Sequence, residues 1–193
     1  MRFKQYILDI LEEAAVDVEA MHYAAAKHAG QVRKFSGKEY ATHPQKVAQI
    51  VMNFKKSKNL DVLMAAAHLH DTIEDTDTTF VALQKEFGNL IASLVDELSS
   101  DSEMIKKVGK TKYLTDKMIS MSDYALVIKL ADRLQNVSDL ISGSPKWANK
   151  YATETENILR ELEAKRKLTR SQTKLVKAIK RTVKEFRGKQ GEI

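Results

Sequence analysis

Four ionisable residues near the middle of the sequence could together hold a cation. His70, Asp71, Glu74 and Asp75 follow the apolar run over residues 62–67. On an α-helix, residues three or four positions apart are surface neighbours, so these side chains could converge on one small volume. Acidic side chains at the end of a helix also oppose the helix dipole, and a bound cation would compensate them. The structural alternative is an exposed, acidic helix end, and the spacing alone does not decide between the two.

Two further candidate ligands, His43 and Asp132, lie far from this group in the sequence. Asp132 interrupts an apolar helical stripe and shares a helix face with Asn136. Each residue has a simpler structural alternative. His43 could be a cap or loop histidine, and Asp132 could form a surface ion pair with Lys129 or Arg133. Taken singly, each residue is better interpreted in that simpler way, and only the joint pattern favours a metal site.

The candidate ligands define the kind of metal that would suit them. Two imidazoles and two carboxylates form a mixed nitrogen and oxygen set that leaves positions open for water. Such a set suits manganese or ferrous iron, and affinity alone would not exclude zinc. Water bound to the ion would become more acidic and could act as a nucleophile at neutral pH. The chain has no cysteine, so a disulfide framework, thiolate zinc ligands and a cysteine nucleophile are excluded.

The elements that must position these residues are predicted to be α-helices. The chain has only two prolines and seven glycines, and its apolar residues recur mostly at three- and four-residue spacing. No convincing alternating pattern of the kind typical of strands is present. We therefore expect an all-α fold, with helices near residues 3–29, 44–56, 60–75, 79–86, 88–99, 110–120, 123–141 and 147–187, the last of them broken.

Helix starts are expected close to two of the candidate ligands. Pro44 suits the first turn of a helix, where its missing N–H costs nothing, and this makes Thr42 or His43 the expected cap. Ser122 or Asp123 is the expected cap of the helix that carries the later acidic ligand. Both caps would place a candidate ligand on a helix with a defined beginning.

Length and charge bound the class of protein. A chain of 193 residues suits one domain and can bury a core without disulfides or structural zinc. The N-terminal segment is amphipathic and lacks the uninterrupted apolar stretch of a signal peptide or membrane span, so a cytoplasmic protein is expected. The net charge of +6 belongs to the end of the chain, because residues 150–193 hold 13 Lys/Arg and 6 Glu.

The joint pattern of these residues resembles a known family. The motifs are His43-Pro44, His70-Asp71-x-x-Glu74-Asp75, Lys129-Leu130-Ala131-Asp132-Arg133-x-x-Asn136, Ala26-x-His28-x-Gly30-Gln31-x-Arg33-Lys34-x-Ser36-Gly37, Tyr40 and Phe87-Gly88. Together they resemble the HD superfamily, and specifically the hydrolase domain of RelA/SpoT enzymes and the free-standing small alarmone hydrolases. The resemblance runs from about Tyr23 to Tyr151. It implies an HD-domain helical bundle.

The resemblance implies a reaction and a division of roles. His43, His70, Asp71 and Asp132 would bind one divalent ion, normally manganese in this family, and Glu74 and Asp75 would be the catalytic pair. The implied reaction is hydrolysis of guanosine 3′,5′-bis(diphosphate), ppGpp, or its pentaphosphate relative at the 3′ position. It releases pyrophosphate and GDP or GTP.

The resemblance also implies contacts with the nucleotide. Arg33 would lie against the guanine face with Lys34 and Ser36 nearby, and Asn136 and Tyr151 would lie around the ribose. Before the resemblance is counted, the two basic residues are as well explained by a solvated loop. Lys107, Lys110 and Lys112 lie where the family keeps bases that face the diphosphate, but the spacing does not choose among them.

One residue departs from the family pattern. Four residues before Tyr151 the small alarmone hydrolases tend to carry an arginine, and here Trp147 stands in its place. The departure bears on the choice of nucleotide substrate and leaves the predicted metal site unchanged. The remaining histidines, His22, His28 and His68, are interpreted as structural.

Residues 1–153 are expected to form the HD phosphohydrolase domain, and residues 154–193 a basic amphipathic helical tail. Apolar residues recur along that tail at helical spacing, opposite a cationic face. The tail would pack on the domain or on a second subunit of a homo-oligomer. Contact with nucleic acid or an anionic surface is the alternative, but the tail lacks the interleaved aromatics of a strand-binding platform, and we expect neither nucleic-acid nor membrane binding.

Three hypotheses for the function follow. The first is an alarmone hydrolase, the second another HD phosphohydrolase acting on simpler nucleotides, and the third a module with a structural metal. The basic loop with Arg33 and Lys34 favours the first over the second. The Glu74 and Asp75 pair argues against the third.

Overall fold

The computed structural model describes residues 16–33 and 37–190, and it divides them into two compact units. The first unit holds residues 16–32 and 39–99, and the second holds residue 33, residues 37–38 and residues 100–190. Within these ranges the regular structure is helical, with one isolated antiparallel bridge between Val32 and Glu39. None of the described helices is both long and apolar enough to cross a bilayer. The expectation of an all-α fold is confirmed.

The first unit is built around helix α3. Helix α1 is described over residues 16–27. The other helices of the unit are α2 (Thr42–Phe54), α3 (Leu60–Leu69), α4 (Thr72–Asp75) and α5 (Phe80–Leu98). Helix α3 packs on α2 and on α5, and Leu63 and Ala66 at its centre are fully buried. His70, the residue that follows the end of α3, is therefore held in position by a helix that is packed in the core.

Helix α5 is broken at Gly88. This glycine has a φ of 79° and a ψ of 168°, a conformation that residues with a side chain rarely adopt. The break separates two helical segments and confirms the prediction of separate helices near residues 79–86 and 88–99. The side chain of Thr79 caps the first segment by accepting a hydrogen bond from the N–H of Ala82 at 3.2 Å.

The second unit surrounds helix α8. Its helices are α6 (Ser102–Val108), α7 (Lys110–Ser120), α8 (Asp123–Ser138), α9 (Pro145–Lys165) and α10 (Arg170–Gln190), with a short 3₁₀ turn at Leu140–Ser142. Helix α8 packs against α10, and α9 packs against α7. Residues 125–135 of α8 are all buried. Of the two caps proposed for α8, Ser122 is correct, since its hydroxyl accepts from the N–H of Ala125.

The basic C-terminal segment forms α10 and packs on the second unit. Its apolar stripe is buried, at Leu175, Val176, Ile179, Val183 and Phe186. The guanidinium of Arg187 donates to the side chains of Asn149 and Thr153 on α9, at 2.6 and 2.8 Å. Helix α9 continues without interruption through residue 153, after which the basic tail was predicted to begin. The break in the long helix predicted near residues 147–187 falls at residues 166–169.

Two sequence predictions about helix boundaries are wrong. A single helix near residues 60–75 was expected, but α3 ends at Leu69 and α4 begins at Thr72. At this break the side chains of His70 and Thr72 donate to the carbonyls of Ala67 and Leu69. Helix α6 was missed altogether. Its seven residues bury none of their side chains, so the sequence carries no apolar period for it.

The cap expected for α2 is also wrong. Neither Thr42 nor His43 caps this helix, because it begins at Thr42 and the residue before it, Ala41, is already in the right-handed helical region. The chain turns earlier than expected, since the N–H groups of Thr42 and His43 donate to the carbonyls of Glu39 and Tyr40. Pro44 nevertheless lies in the first turn, as predicted.

Candidate metal centre and active site

The orientation of His70 is fixed by a hydrogen bond to the backbone. Its Nδ1 lies 2.8 Å from the carbonyl oxygen of Ala67. A carbonyl can only accept, so Nδ1 carries the proton and the lone pair of the neutral ring is at Nε2. That Nε2 lies 3.0 Å from Oδ2 of Asp71. In the neutral ring, Nε2 presents an electron pair towards this carboxylate, the orientation typical of a metal-binding histidine, whereas in an imidazolium the same Nε2 donates a proton to it.

His43 approaches the same carboxylate oxygen. Its Nε2 lies 3.6 Å from Oδ2 of Asp71, and its ring centroid is 5.1 Å from that of His70. Both histidines are almost completely buried, with exposed fractions of 2% and 1%. The sequence-predicted grouping of His43, His70 and Asp71 is thus present in the first unit.

The electrostatics of this group favour an ionised Asp71. Burial raises the pKa of its carboxyl, but the charges and hydrogen bonds that His70 and His43 provide when protonated outweigh burial and hold that pKa well below its usual value. The Asp71 carboxylate therefore keeps its negative charge, and this charge needs a positive charge beside it. An imidazolium proton or a cation can supply that charge.

These residues fit a divalent cation. Two imidazole nitrogens and a carboxylate oxygen converge in a buried place, and such mixed nitrogen and oxygen sets bind first-row transition metals. His43, His70 and Asp71 would hold such a cation, and its positive charge would offset the repulsion between the imidazole lone pairs and the carboxylate.

Tyr40 belongs to the same group, and no role for it was predicted from the sequence. Its hydroxyl donates to Oδ2 of Asp71 at 2.6 Å and lies 3.2 Å from Oδ2 of Asp75. Its ring stands edge-on to that of His43, 5.8 Å between centroids. The available signal was its place in the family motif. Tyr40 connects a predicted metal ligand with a predicted catalytic acid.

The predicted catalytic acids, Glu74 and Asp75, are both exposed on helix α4. Burial of part of the Asp75 carboxyl raises its pKa, and the charges of Asp71 and Glu74 raise it further, against the hydrogen bond from Tyr40. Asp75 therefore takes up a proton more readily than an ordinary aspartate. A carboxylate with a raised pKa suits proton transfer near neutral pH.

Gln31 supports the backbone of Asp75. Its Nε2 donates to the Asp75 carbonyl oxygen at 3.0 Å, and its Oε1 lies 2.9 Å from Nδ1 of His28. His28 is buried. His68 is also buried and its Nε2 lies 3.3 Å from Oδ1 of Asp17, whereas His22 is exposed.

Asp132, the fourth predicted ligand, lies in the second unit on α8. Its Oδ1 accepts from Nδ2 of Asn136 at 2.6 Å, and its Oδ2 lies 3.3 Å from Nζ of Lys129. The ion pair with Lys129 matches one structural alternative. It is not a surface pair, however, because Asp132 has an exposed fraction of only 8% and Lys129 of 9%. Asp132 offers a carboxylate oxygen of the kind that can hold a divalent ion.

Arg33 is attached to the same helix. Its Nη2 donates to Oδ1 of Asn136 at 2.9 Å, to Oε1 of Gln135 at 3.1 Å and to Oδ2 of Asp139 at 3.2 Å. The structure thus brings together two residues predicted to contact the nucleotide, Arg33 and Asn136. Two others, Lys34 and Ser36, lie outside the described residues.

Tyr151 forms part of an aromatic stack on α9. The ring of Trp147 stacks on it with centroids 5.4 Å apart, and the guanidinium of Arg133 lies 5.0 Å from its centroid. Burial raises the pKa of the Tyr151 hydroxyl, so at neutral pH it remains a hydrogen-bond donor. Trp147 in turn packs on Gly143, where a Cβ atom would lie 2.3 Å from the indole ring.

The three candidate phosphate-facing lysines are exposed on neighbouring helices. Lys107 lies on α6, and Lys110 and Lys112 lie on α7. Lys112 pairs with Asp116. All three lysines are exposed, so exposure does not indicate which of them faces the diphosphate.

Comparisons with known proteins show the family of this chain. The HD domain family matches residues 20–169. The guanosine-3′,5′-bis(diphosphate) 3′-pyrophosphohydrolase MESH1 of Homo sapiens is 38% identical over 138 residues, which cover 70% of this chain and 76% of the human protein. The guanosine-3′,5′-bis(diphosphate) 3′-pyrophosphohydrolase of Aquifex aeolicus is 34% identical over 148 residues, which cover 72% of this chain and 20% of that enzyme.

The fold agrees as well. A solved structure of a metazoan ortholog of SpoT, which hydrolyses ppGpp, superimposes with a TM-score of 0.72 at 27% sequence identity, covering 86% of this chain and 95% of the other. The family match spans more than half of the chain, and the human relative is matched over more than two thirds of its length. This chain belongs to the HD domain family.

Proposed function

We propose that this protein hydrolyses the 3′-diphosphate of ppGpp, or of its pentaphosphate relative, to GDP or GTP and pyrophosphate. The observation that carries the proposal is the buried convergence of His43 and His70 on Asp71, beside the Glu74 and Asp75 pair. That arrangement supports metal-assisted hydrolysis of a phosphate ester. The named activity of the human and Aquifex relatives supports the choice of substrate.

The proposed ligands of one divalent ion, Mn²⁺ in the first place, are His43, His70, Asp71 and Asp132. The first three are supported by their mutual distances in the first unit. Asp132 is supported by the family pattern and by a buried carboxylate that two neighbours hold in place. When bound, the ion would neutralise phosphate charge and make water more acidic.

Glu74 and Asp75 are proposed to orient the attacking water and to accept its proton. Water adds across the bond between the 3′ oxygen and its phosphorus; pyrophosphate leaves and the ribose regains its 3′ hydroxyl. The raised pKa of Asp75 suits a group that takes up a proton during this step. Tyr40 holds Oδ2 of Asp75 through its hydroxyl.

The proposed nucleotide contacts are Arg33, Lys34, Ser36, Asn136 and Tyr151. A guanidinium can stack on a guanine ring, and a tyrosine hydroxyl can donate to a ribose oxygen. Trp147, which takes the place of the family's usual arginine, lends Tyr151 a stacked neighbour but no charge for a phosphate.

The decisive experiment is a substrate panel. Purified protein loaded with Mn²⁺ is incubated with ppGpp, pppGpp, and simple nucleoside mono-, di- and triphosphates, and the products are separated by ion-exchange chromatography. We expect pyrophosphate from the two 3′-diphosphates and no cleavage of the simple nucleotides. Cleavage of the simple nucleotides alone would instead assign the protein to the general HD nucleotidases.

Asp71→Asn tests the metal site in the same assay. It keeps the size of the side chain but removes the charge that faces the two histidines, so turnover should fall by a factor of about 10²–10³, on the scale of lost transition-state stabilisation. Asp96→Asn, an exposed position on α5, is the matched control and should keep full activity. Full activity of Asp71→Asn would show that the proposed site is wrong.

A further inference from the structure

Asn136 joins Arg33 to the proposed metal ligand Asp132. It follows Asp132 by one helical turn on α8, and its Nδ2 donates to Oδ1 of Asp132 at 2.6 Å. Its Oδ1 accepts from Nη2 of Arg33 at 2.9 Å. Both ends of the amide are therefore engaged, one with a carboxylate and one with a guanidinium.

This arrangement fixes which way the amide of Asn136 faces. A carboxylate accepts and cannot donate, while a guanidinium donates and cannot accept. If the amide turned over, its oxygen would face the carboxylate and its NH₂ would face the guanidinium, and both contacts would be repulsive. Arg33 thus stabilises the one orientation in which Asn136 donates to Asp132.

Arg33 is itself firmly held. Its Nη2 also donates to Gln135 and Asp139, and Nε2 of Gln135 donates to Oδ2 of Asp139 at 2.9 Å. Its backbone N–H donates to the carbonyl of Lys38 at 2.8 Å. Its side chain is only 17% exposed. Arg33 therefore has the fixed position that a supporting residue needs.

The remaining oxygen of Asp132 is held by a second neighbour. Nζ of Lys129 lies 3.3 Å from Oδ2. The carboxylate is therefore held at Oδ1 by a hydrogen bond from Asn136 and at Oδ2 by an ion pair with Lys129. Groups that orient a metal-binding carboxylate contribute strongly to metal affinity, and their loss typically weakens it about 10- to 100-fold.

We propose that Arg33 and Asn136 are positioning residues for the metal ligand Asp132, acting in the order Arg33, Asn136, Asp132. This role is separate from their proposed contacts with the nucleotide, and it rests on the proposed place of Asp132 in the metal site. It predicts that both residues determine metal affinity when no nucleotide is present.

The test measures Mn²⁺ binding by metal-free protein without nucleotide, from the electron paramagnetic resonance signal of free Mn²⁺. We expect the dissociation constant to rise about 10-fold or more in Asn136→Ala and in Arg33→Gln. In the double variant it should rise no further than in Asn136→Ala alone, because Arg33 acts through Asn136. Arg33→Lys, which retains a cationic donor, should recover most of the loss.

Lys150→Gln is the control for charge. It removes the same positive charge from an exposed position on α9. Loss of a positive charge should leave Mn²⁺ binding unchanged or slightly tighter, so weaker binding in Arg33→Gln cannot be an effect of net charge. Circular dichroism of each metal-free variant establishes that it is folded.

Equal affinities of Arg33→Gln and Lys150→Gln would overturn the proposal, as would additive losses in the double variant. The outcome is independent of the substrate. A wild-type protein that binds Mn²⁺ with the expected pattern but leaves ppGpp intact would overturn the proposed function alone. Hydrolysis of ppGpp with Mn²⁺ affinity unaffected by Arg33→Gln would overturn only this inference.

Discussion

Oδ2 of Asp71 is the atom on which the chemistry of the first unit converges. It receives the hydroxyl of Tyr40 and faces the Nε2 atoms of His43 and His70. Because Tyr40 also reaches Asp75, it connects the proposed metal site with the proposed base. A change at Tyr40 should therefore affect proton transfer as well as binding.

Replacing Tyr40 by Phe should move the acid limb of the pH–rate profile to higher pH. Asp75 must be ionised to accept a proton, so activity rises as the pH rises through its pKa. Burial and the charges of Asp71 and Glu74 already raise that pKa, and the hydrogen bond from Tyr40 opposes them. Its removal raises the pKa further. The measurement is kcat/KM against pH, with Tyr23→Phe as the control, and an unmoved acid limb would contradict the prediction.

Single residues were predictable only where their chemical types and joint spacing were informative. The meeting of His43 with His70 and Asp71 follows from a pattern that recurs across a family. The place of Tyr40 could not be derived, because a tyrosine in a polar loop has many structural roles. The attachment of Arg33 to α8 was equally invisible, since it joins residues more than 100 positions apart.

At the scale of elements, helical periodicity predicted long amphipathic helices well and short ones poorly. Helix α10 shows the regular spacing of buried apolar residues that the sequence predicts, whereas α6 has none. The break between α3 and α4 was missed because it depends on side-chain hydrogen bonds. There the side chains of His70 and Thr72, instead of backbone N–H groups, donate to the carbonyls of Ala67 and Leu69. Competition between side-chain and backbone donors for the same carbonyls does not change the spacing of apolar residues, so that spacing does not reveal the break.

Ile179→Ala tests how strongly α10 stabilises the fold. Ile179 is fully buried, and truncating a buried isoleucine typically costs about 2–5 kcal/mol. The free energy of unfolding, from urea denaturation followed by circular dichroism, should fall by that amount. Lys177→Ala, on the exposed face of the same helix, should change it by less than about 0.5 kcal/mol. Equal small effects would mean that α10 contributes little to stability.

Gly143→Ala tests the stack on α9. An added Cβ would lie 2.3 Å from Cε3 of Trp147, so the indole must shift and its stack on Tyr151 is disturbed. Trp147 is the only tryptophan, and its fluorescence reports the change directly. We expect a shifted emission spectrum and greater quenching by acrylamide, together with a higher KM for ppGpp. Gly188→Ala, where a Cβ meets no neighbour within 4 Å, should alter none of these.

At the scale of the whole molecule, composition predicted the helical class and the basic end of the chain. The exposed residues of α10 include a row of bases, Arg170, Lys174, Lys177, Arg181 and Lys184. Helical spacing did not show that the described chain divides near residue 99, although the polar run Ser99-Ser100-Asp101-Ser102 lies at that point. Contacts between distant residues decide such divisions, and spacing along the sequence does not contain them.

Metal binding should stabilise the whole protein. An ion that binds the folded chain alone adds about 2.7 kcal/mol at a concentration 100 times its dissociation constant. For a chain of this length each kcal/mol raises Tm by about 2–4 °C, so saturating Mn²⁺ should raise it by about 5–10 °C. The measurement is calorimetry of chelator-treated protein with and without Mn²⁺.

The increase in Tm should shrink at acidic pH, because protonated histidines cannot bind a metal. It should nearly vanish in Asp71→Asn and persist in Asp96→Asn, whereas an equal increase in both variants would place the stabilising ion elsewhere.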